Sequence, residues 1–169
     1  MNLDYKEFLR EDFSPNSKVW VYQANRLLRI DEAFDAEEMV KAFVENWQSH
    51  GEPVKGQGLI IFGYFVVLIA DDTQTHVGGC STDSSQRFIK TLGEKLGIDC
   101  FDRNQLAFVV NEGIELLPYQ QIQYALDHNF LFPDSLYFNN LVATKKDFEE
   151  NWIIPVKESW LAQKIEIPQ

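Results

Sequence analysis

The chain has 169 residues, 45% hydrophobic and 14% aromatic, with a net charge of −11 at pH 7. That length suits a single domain, and the aromatic side chains supply enough apolar area for a well-filled core. Acidic residues outnumber basic ones in both halves, 14 against 7 in residues 1–85 and 12 against 8 in residues 86–169, which excludes nucleic acid as the main partner because phosphate binding needs a basic surface.

The N-terminal stretch MNLDYKEFLREDF is charged and has no apolar signal core. The longest apolar run, Leu59–Ala70, is broken by Gly63 and is too short to span a bilayer. A cytoplasmic protein with no membrane partner is expected. Cys80 and Cys100 form neither a disulfide framework nor the paired spacing of a zinc site, and Cys100 reads as a small buried hydrophobe.

Residues 1–16 read as a lead-in segment, with a short helix over Asp4–Arg10 and with Phe8, Leu9 and Phe13 tucked against the body. Ser17–Leu28 alternates as a first strand whose polar second half lies nearer solvent or a polar pocket. Asp35 caps a helix with Glu38 three residues on; Ala36, Val40, Phe43 and Trp47 form its stripe and Gly51 stops it. Two strands follow, Leu59–Phe62 and Tyr64–Ala70, the second apolar on both faces and therefore central. A helix from Ser81–Asp83 to Leu96 and a strand at Leu106–Asn111 complete the order strand, helix, strand, strand, helix, strand.

That order is the split βαβ repeat of a ferredoxin-like sheet, with strand order 4-1-3-2 and antiparallel neighbours. Such a fold leaves one sheet face open, yet strands three and four are apolar on both faces. Residues 118–169 are the expected cover. They read as a helix opened by Pro118, a strand at Leu136–Val142, a helix capped by Thr144 and a last helix over Pro155–Lys164. The expected fold class is α+β: a ferredoxin-like βαββαβ antiparallel core over residues 17–117, and a C-terminal αβαα extension over 118–169 closing the open sheet face in one domain.

Chemistry concentrates between Asp71 and Ser85. Gly78, Gly79, Ser81, Thr82, Ser84 and Ser85 open a helix, where unpaired N–H groups, glycine backbone and hydroxyls could hold a small anionic ligand. The same residues also suit plain helix capping, and Asp83 opposes an anion. Cys80 near the helix N-terminus, with His76 four residues before it, is a candidate thiol nucleophile and base. Asp71, Asp72 and Glu112, at the expected ends of strands three and four, form a candidate divalent-cation set. Trp20, Tyr22 and Arg26 could form an aromatic platform for RNA, but the acidic charge favours core packing. The pattern specifies no cofactor.

Val19–Leu28 (VWVYQANRLL), Tyr64–Asp72 (YFVVLIADD) and Gly79–Ser85 (GCSTDSS) resemble an uncharacterised family of bacterial proteins often labelled "ABC transporter ATPase". The resemblance covers most of the sequence and carries no established activity. Val66–Asp72 looks like a Walker B strand, and Val77–Ser81 is similar to the glycine-rich signature of such ATPases. The phosphate-gripping G-x-x-x-x-G-K-[ST] loop is missing, and with it the cradle for the γ-phosphate, so ATP hydrolysis is rejected. The preferred reading is a non-catalytic binding or protein-interaction module, with a homo-oligomer or another protein as partner. The alternative is a small-molecule or anion-binding protein or thiol enzyme built on Asp71–Ser85.

Overall fold

The computed structural model describes residues 1–73 and 78–168, without the side chain of Cys80. The fold is α+β, with antiparallel sheets and four α-helices among the described residues. β1 (Lys18–Gln23) leads to α1 (Ile30–Glu45), a small hairpin of β2 (Gln48–Ser49) and β3 (Glu52–Pro53), β4 (Lys55–Ile61), β5 (Phe65–Asp71) and α2 (Gly79–Leu96). β6 (Gln105–Val110), β7 (Gly113–Pro118), α3 (Ile122–Asp127), β8 (Leu136–Phe138), α4 (Lys145–Asn151) and β9 (Ile153–Pro155) follow.

β5 is the centre. All seven of its residues are buried, as expected for a strand apolar on both faces. It pairs with β1 on one side and β4 on the other, both antiparallel. The β4–β5 hairpin turns through Phe62 and Gly63, both at positive φ, the pattern of a tight two-residue turn. Phe62 accepts that conformation with its ring stacked on Trp152, centroids 6.0 Å apart.

Alternation along β5 serves two cores. Val66, Leu68 and Ala70 pack under α1 and α2, with Val40, Ile89 and Leu92. Phe65, Val67 and Ile69 pack against a second sheet and α4, with Ala107, Phe138, Phe148 and Trp152. The second sheet has the order β7-β6-β8-β9. Its far face buries Phe108 and Tyr137 under α3 and the 3-10 turns at Val156–Glu158 and Trp160–Gln163. The layers are therefore helices, sheet, sheet, helix.

The order β1-β5-β4 is the 1-3-2 part of the expected ferredoxin-like order. The fourth strand, β6, is not beside β1: it pairs with β7 and β8 in the second sheet. The reason lies in β7, a strand the sequence reading did not include, which forms a tight hairpin with β6 through Asn111 and Glu112 at positive φ. The cover over the far face of β5 is thus largely a sheet, and it includes residues 105–117 as well as the C-terminal segment.

Other boundaries also move. α1 begins at Ile30, where Glu32 reaches back to accept from the Arg29 N–H at 2.8 Å; Asp35 lies inside the helix. Arg26 grips the same carboxylate through two nitrogens, at 2.8 and 2.9 Å. Gly51, with His50, turns the β2–β3 hairpin, and Trp47 is buried just past the helix end. In the lead-in segment Phe8 is exposed, while Tyr5 is buried and donates to the Phe148 carbonyl. Thr144 caps α4 as expected, accepting from the Asp147 N–H at 3.1 Å. The expected final helix is β9 and the two 3-10 turns.

The fit of α1 on β4 depends on Gly58, where a Cβ would meet Val40 Cγ1 at 2.1 Å. Overpacking of this kind costs about 1–3 kcal/mol. Gly58→Ala therefore lowers the urea midpoint, whereas Gly79→Ala, whose Cβ meets nothing within 4 Å, does not. Equal midpoints would contradict this packing.

Candidate functional site

The residues singled out at Asp71–Ser85 are held for the most part by their own surroundings. Asp71 is buried at the end of β5, with 2% of its side chain exposed. Burial works against its charge. The N–H groups of Thr73 (2.9 Å) and Ser14 (3.1 Å), the Thr73 hydroxyl and the Lys55 ammonium outweigh it, so its pKa falls to about 2. This carboxylate ties the lead-in segment to β5. Asp72 is half-buried beside it, and Glu112 sits in the exposed β6–β7 turn of the other sheet. Among the described residues no group of three or more His, Cys, Asp or Glu side chains could hold a metal ion.

At the start of α2, Gly78 is the N-cap and its carbonyl takes the N–H groups of Ser81 and Thr82. Gly79 is exposed and Thr82 half-buried. Ser84 Oγ donates to the Ser81 carbonyl at 2.9 Å, and Ser85 Oγ to the Thr82 carbonyl at 2.7 Å. With its proton spent there, Ser85 accepts from the Tyr22 hydroxyl at 2.9 Å. Ser81 Oγ is buried with no hydrogen-bond partner among the described residues. His76 and the Cys80 thiol lie outside the described residues. Burial, aided by the Asp99 charge, pushes the Cys100 thiol up to about 12, so it packs as the small hydrophobe expected.

A concavity lies elsewhere, along the outer edge of β1. It is a groove of about 460 Å³, within the usual range for binding sites. Its floor is the β1 backbone. One wall holds Tyr22, Gln86, Cys100 and Phe101; the other holds Leu106, Tyr137 and Trp160, with Leu141 exposed at the rim. Tyr22 and Phe101 meet edge to face at 6.0 Å. Trp160 Nε1 donates to the Tyr137 hydroxyl at 3.0 Å, fixing both rings.

The register of β1 shows what the floor presents. The Ala24 N–H bonds to the Tyr64 carbonyl, so alternation directs the main-chain groups of Ala24, Tyr22 and Trp20 toward β5. Those of Val19, Val21 and Gln23 face outward. At one end the edge is covered, because the Val19 N–H donates to Ala143 and the Ser17 carbonyl accepts from Lys145. At the other end the Asn25 N–H donates to Asp99. Between them the Val21 and Gln23 N–H groups have no hydrogen-bond partner among the described residues. In the expected ferredoxin-like order β6 would have filled this edge.

Side chains bridge the gap instead. Gln23 Nε2 donates to the Gln105 carbonyl of β6 at 2.9 Å, Asn140 Nδ2 donates to Gln23 Oε1 at 3.0 Å, and Trp152 Nε1 donates to Asn140 Oδ1 at 3.0 Å. This part-buried polar relay holds the two sheets at the spacing that leaves the groove. The sequence reading missed Phe101, Leu106, Tyr137, Asn140, Leu141 and Trp160, which come from separate segments. The polar second half of β1, with Gln23, was the one signal.

Comparison with known proteins returned nothing: no family model matches the sequence, and no curated protein or solved structure matches it. Among the described residues no helix is long and apolar enough to cross a membrane.

Two outcomes follow. Asp71 titrates near 2 when folded and near 3.8 when unfolded, so its contribution is complete above pH 5 and disappears as pH falls from about 5 to about 2. Asp71→Asn loses about 2 kcal/mol at pH 7 and shows a shallower acid limb in denaturant titrations; an unchanged limb would remove Asp71 as the tie. In amide hydrogen exchange by NMR, Val21 and Gln23 exchange far faster than Trp20 and Tyr22, and equal protection would mean that the β1 edge is not open.

Proposed function

We propose that the protein is a non-catalytic binding module that takes an extended polypeptide segment into the groove, adding it as a strand to the open edge of β1. The observation that carries this reading is the run of outward main-chain groups from the Val19 carbonyl to the Gln23 N–H, unpaired at the floor of an aromatic groove. An extended segment offers matching donors and acceptors every second residue. Coverage at both ends limits the addition to about four residues, or ~13 Å of strand at ~3.3 Å per residue.

Side-chain alternation supplies selectivity. One set of the partner's side chains meets Tyr22 and Phe101, and the other meets Leu106, Tyr137 and Trp160. Apolar or aromatic residues at alternate positions suit both walls. The recessed, short edge also resists indiscriminate pairing, the usual hazard of an exposed strand. A module of this kind needs no nucleophile; the Cys100 thiol is held protonated, and the Ser84 and Ser85 hydroxyls turn back on α2.

The test is selection from a displayed library of random dodecapeptides on the immobilised protein, with enriched sequences resynthesised carrying fluorescein and measured by anisotropy. Enriched peptides slow the exchange of the Val21 and Gln23 amides. N-methylation at alternate peptide residues cuts affinity about tenfold, the worth of one unmade hydrogen bond at about 1–1.5 kcal/mol, while N-methylation at the intervening residues does not. No enrichment, or bound peptides that leave Val21 and Gln23 exchanging as before, would overturn the reading.

A further inference from the structure

Resting on the strand-addition reading, we infer that the bound segment carries a carboxylate, received at the α2 end of the groove by Arg87, Lys90 and Arg103. The protein has five arginines in an acidic background of 26 Asp and Glu. Three of them are paired with carboxylates: Arg10 with Asp12, Arg26 with Glu32, and Arg29 with Asp31 and Glu32. Among the described residues the other two have no such pair: Arg103 lines the groove, and Arg87 lines a shallow hollow that shares Gln86 and Phe101 with it. With acids in such excess, an unpaired arginine is a guanidinium left available.

The placement is consistent. Beyond Phe101 and Gln86 the groove continues into a shallow hollow lined also by Asp83, Arg87 and Lys90. Arg87 and Lys90, three residues apart, share one face of α2. Arg103 stands on the groove wall, close enough for its charge to act on the Tyr22 hydroxyl. Of the nearby acids, Asp102 accepts from the Asn104 N–H at 2.9 Å and Asp99 from the Phe101 N–H at 2.8 Å; both keep their charge, and Asp102 lines the groove beside Arg103. Asp83 opposes the incoming charge and sets an upper limit on affinity.

A guanidinium fork beside an ammonium suits a planar carboxylate, and Phe101 between groove and hollow gives the preceding side chain an apolar seat. The carboxylate comes from an Asp or Glu side chain or from a free C-terminus; the recognition chemistry is the same. It also gives the added strand a direction, with the carboxylate toward Phe101, Arg87 and Lys90.

The dodecapeptide selection, run with free and with amidated C-termini, tests this. Enriched sequences carry an acidic residue at one fixed position or require the free C-terminus, and Glu→Gln or Asp→Asn in the peptide, or amidation, identifies which. Arg87→Gln with Arg103→Gln weakens the best peptide about tenfold, Asp83→Asn strengthens it, and Lys41→Gln on exposed α1 leaves it unchanged. Binding that still protects the Val21 and Gln23 amides, but ignores the arginine substitutions and shows no acidic preference, overturns this inference alone. No enriched peptide in either library overturns it together with strand addition.

Discussion

The burial of β5 on both faces is the constraint on which the rest of the molecule depends. Seven consecutive buried residues cannot be covered by helices on one side alone. Val66, Leu68 and Ala70 are satisfied by α1 and α2. Phe65, Val67 and Ile69 require a second apolar surface, which the sheet around β6 and the aromatic group of Phe138, Phe148 and Trp152 provide. Trp152 is central to that contact: its ring meets Tyr5, Phe62, Phe65, Phe138 and Phe148, so the lead-in segment, the β4–β5 hairpin and α4 converge on it.

Recruiting β6 into the covering sheet has a consequence at β1. A strand that packs face to face against a sheet cannot also extend that sheet edgewise. The outer edge of β1 is left to partial substitutes, with residues 143–145 at one end and Asp99 at the other. The relay Gln105–Gln23–Asn140–Trp152 spans the remaining distance with side-chain amides. The Gln23 and Asn140 amides each donate and accept within it, which keeps a part-buried polar path from becoming a liability. The open stretch of strand between these props is what gives the groove its capacity for main-chain recognition.

In the region richest in chemical residue types, several of the described side chains are committed to the fold. Asp71 spends its charge on the lead-in segment and Lys55, and Ser84 and Ser85 spend their protons on α2 itself. Hydroxyl-rich helix starts satisfy their own backbone as readily as they hold ligands, and spacing alone does not distinguish the two uses. The groove is lined instead by residues that individually look like core: Tyr22, Phe101, Tyr137 and Trp160.

Features that rest on local periodicity and capping can be read along the chain without its fold. The two-sided burial of β5, the helix ending at Leu96 and the Thr144 cap were legible because each depends on neighbours within a turn or on strict alternation. Tertiary structure decided which strand pairs with which. The start of α1 at Ile30 rests on Glu32 being gripped by Arg26, and the sheet membership of β6 rests on a two-residue turn through Asn111 and Glu112 that period counting does not reveal. The groove was hidden for the same reason: an open edge is a property of hydrogen bonds between distant segments, and its walls draw on residues far apart in sequence.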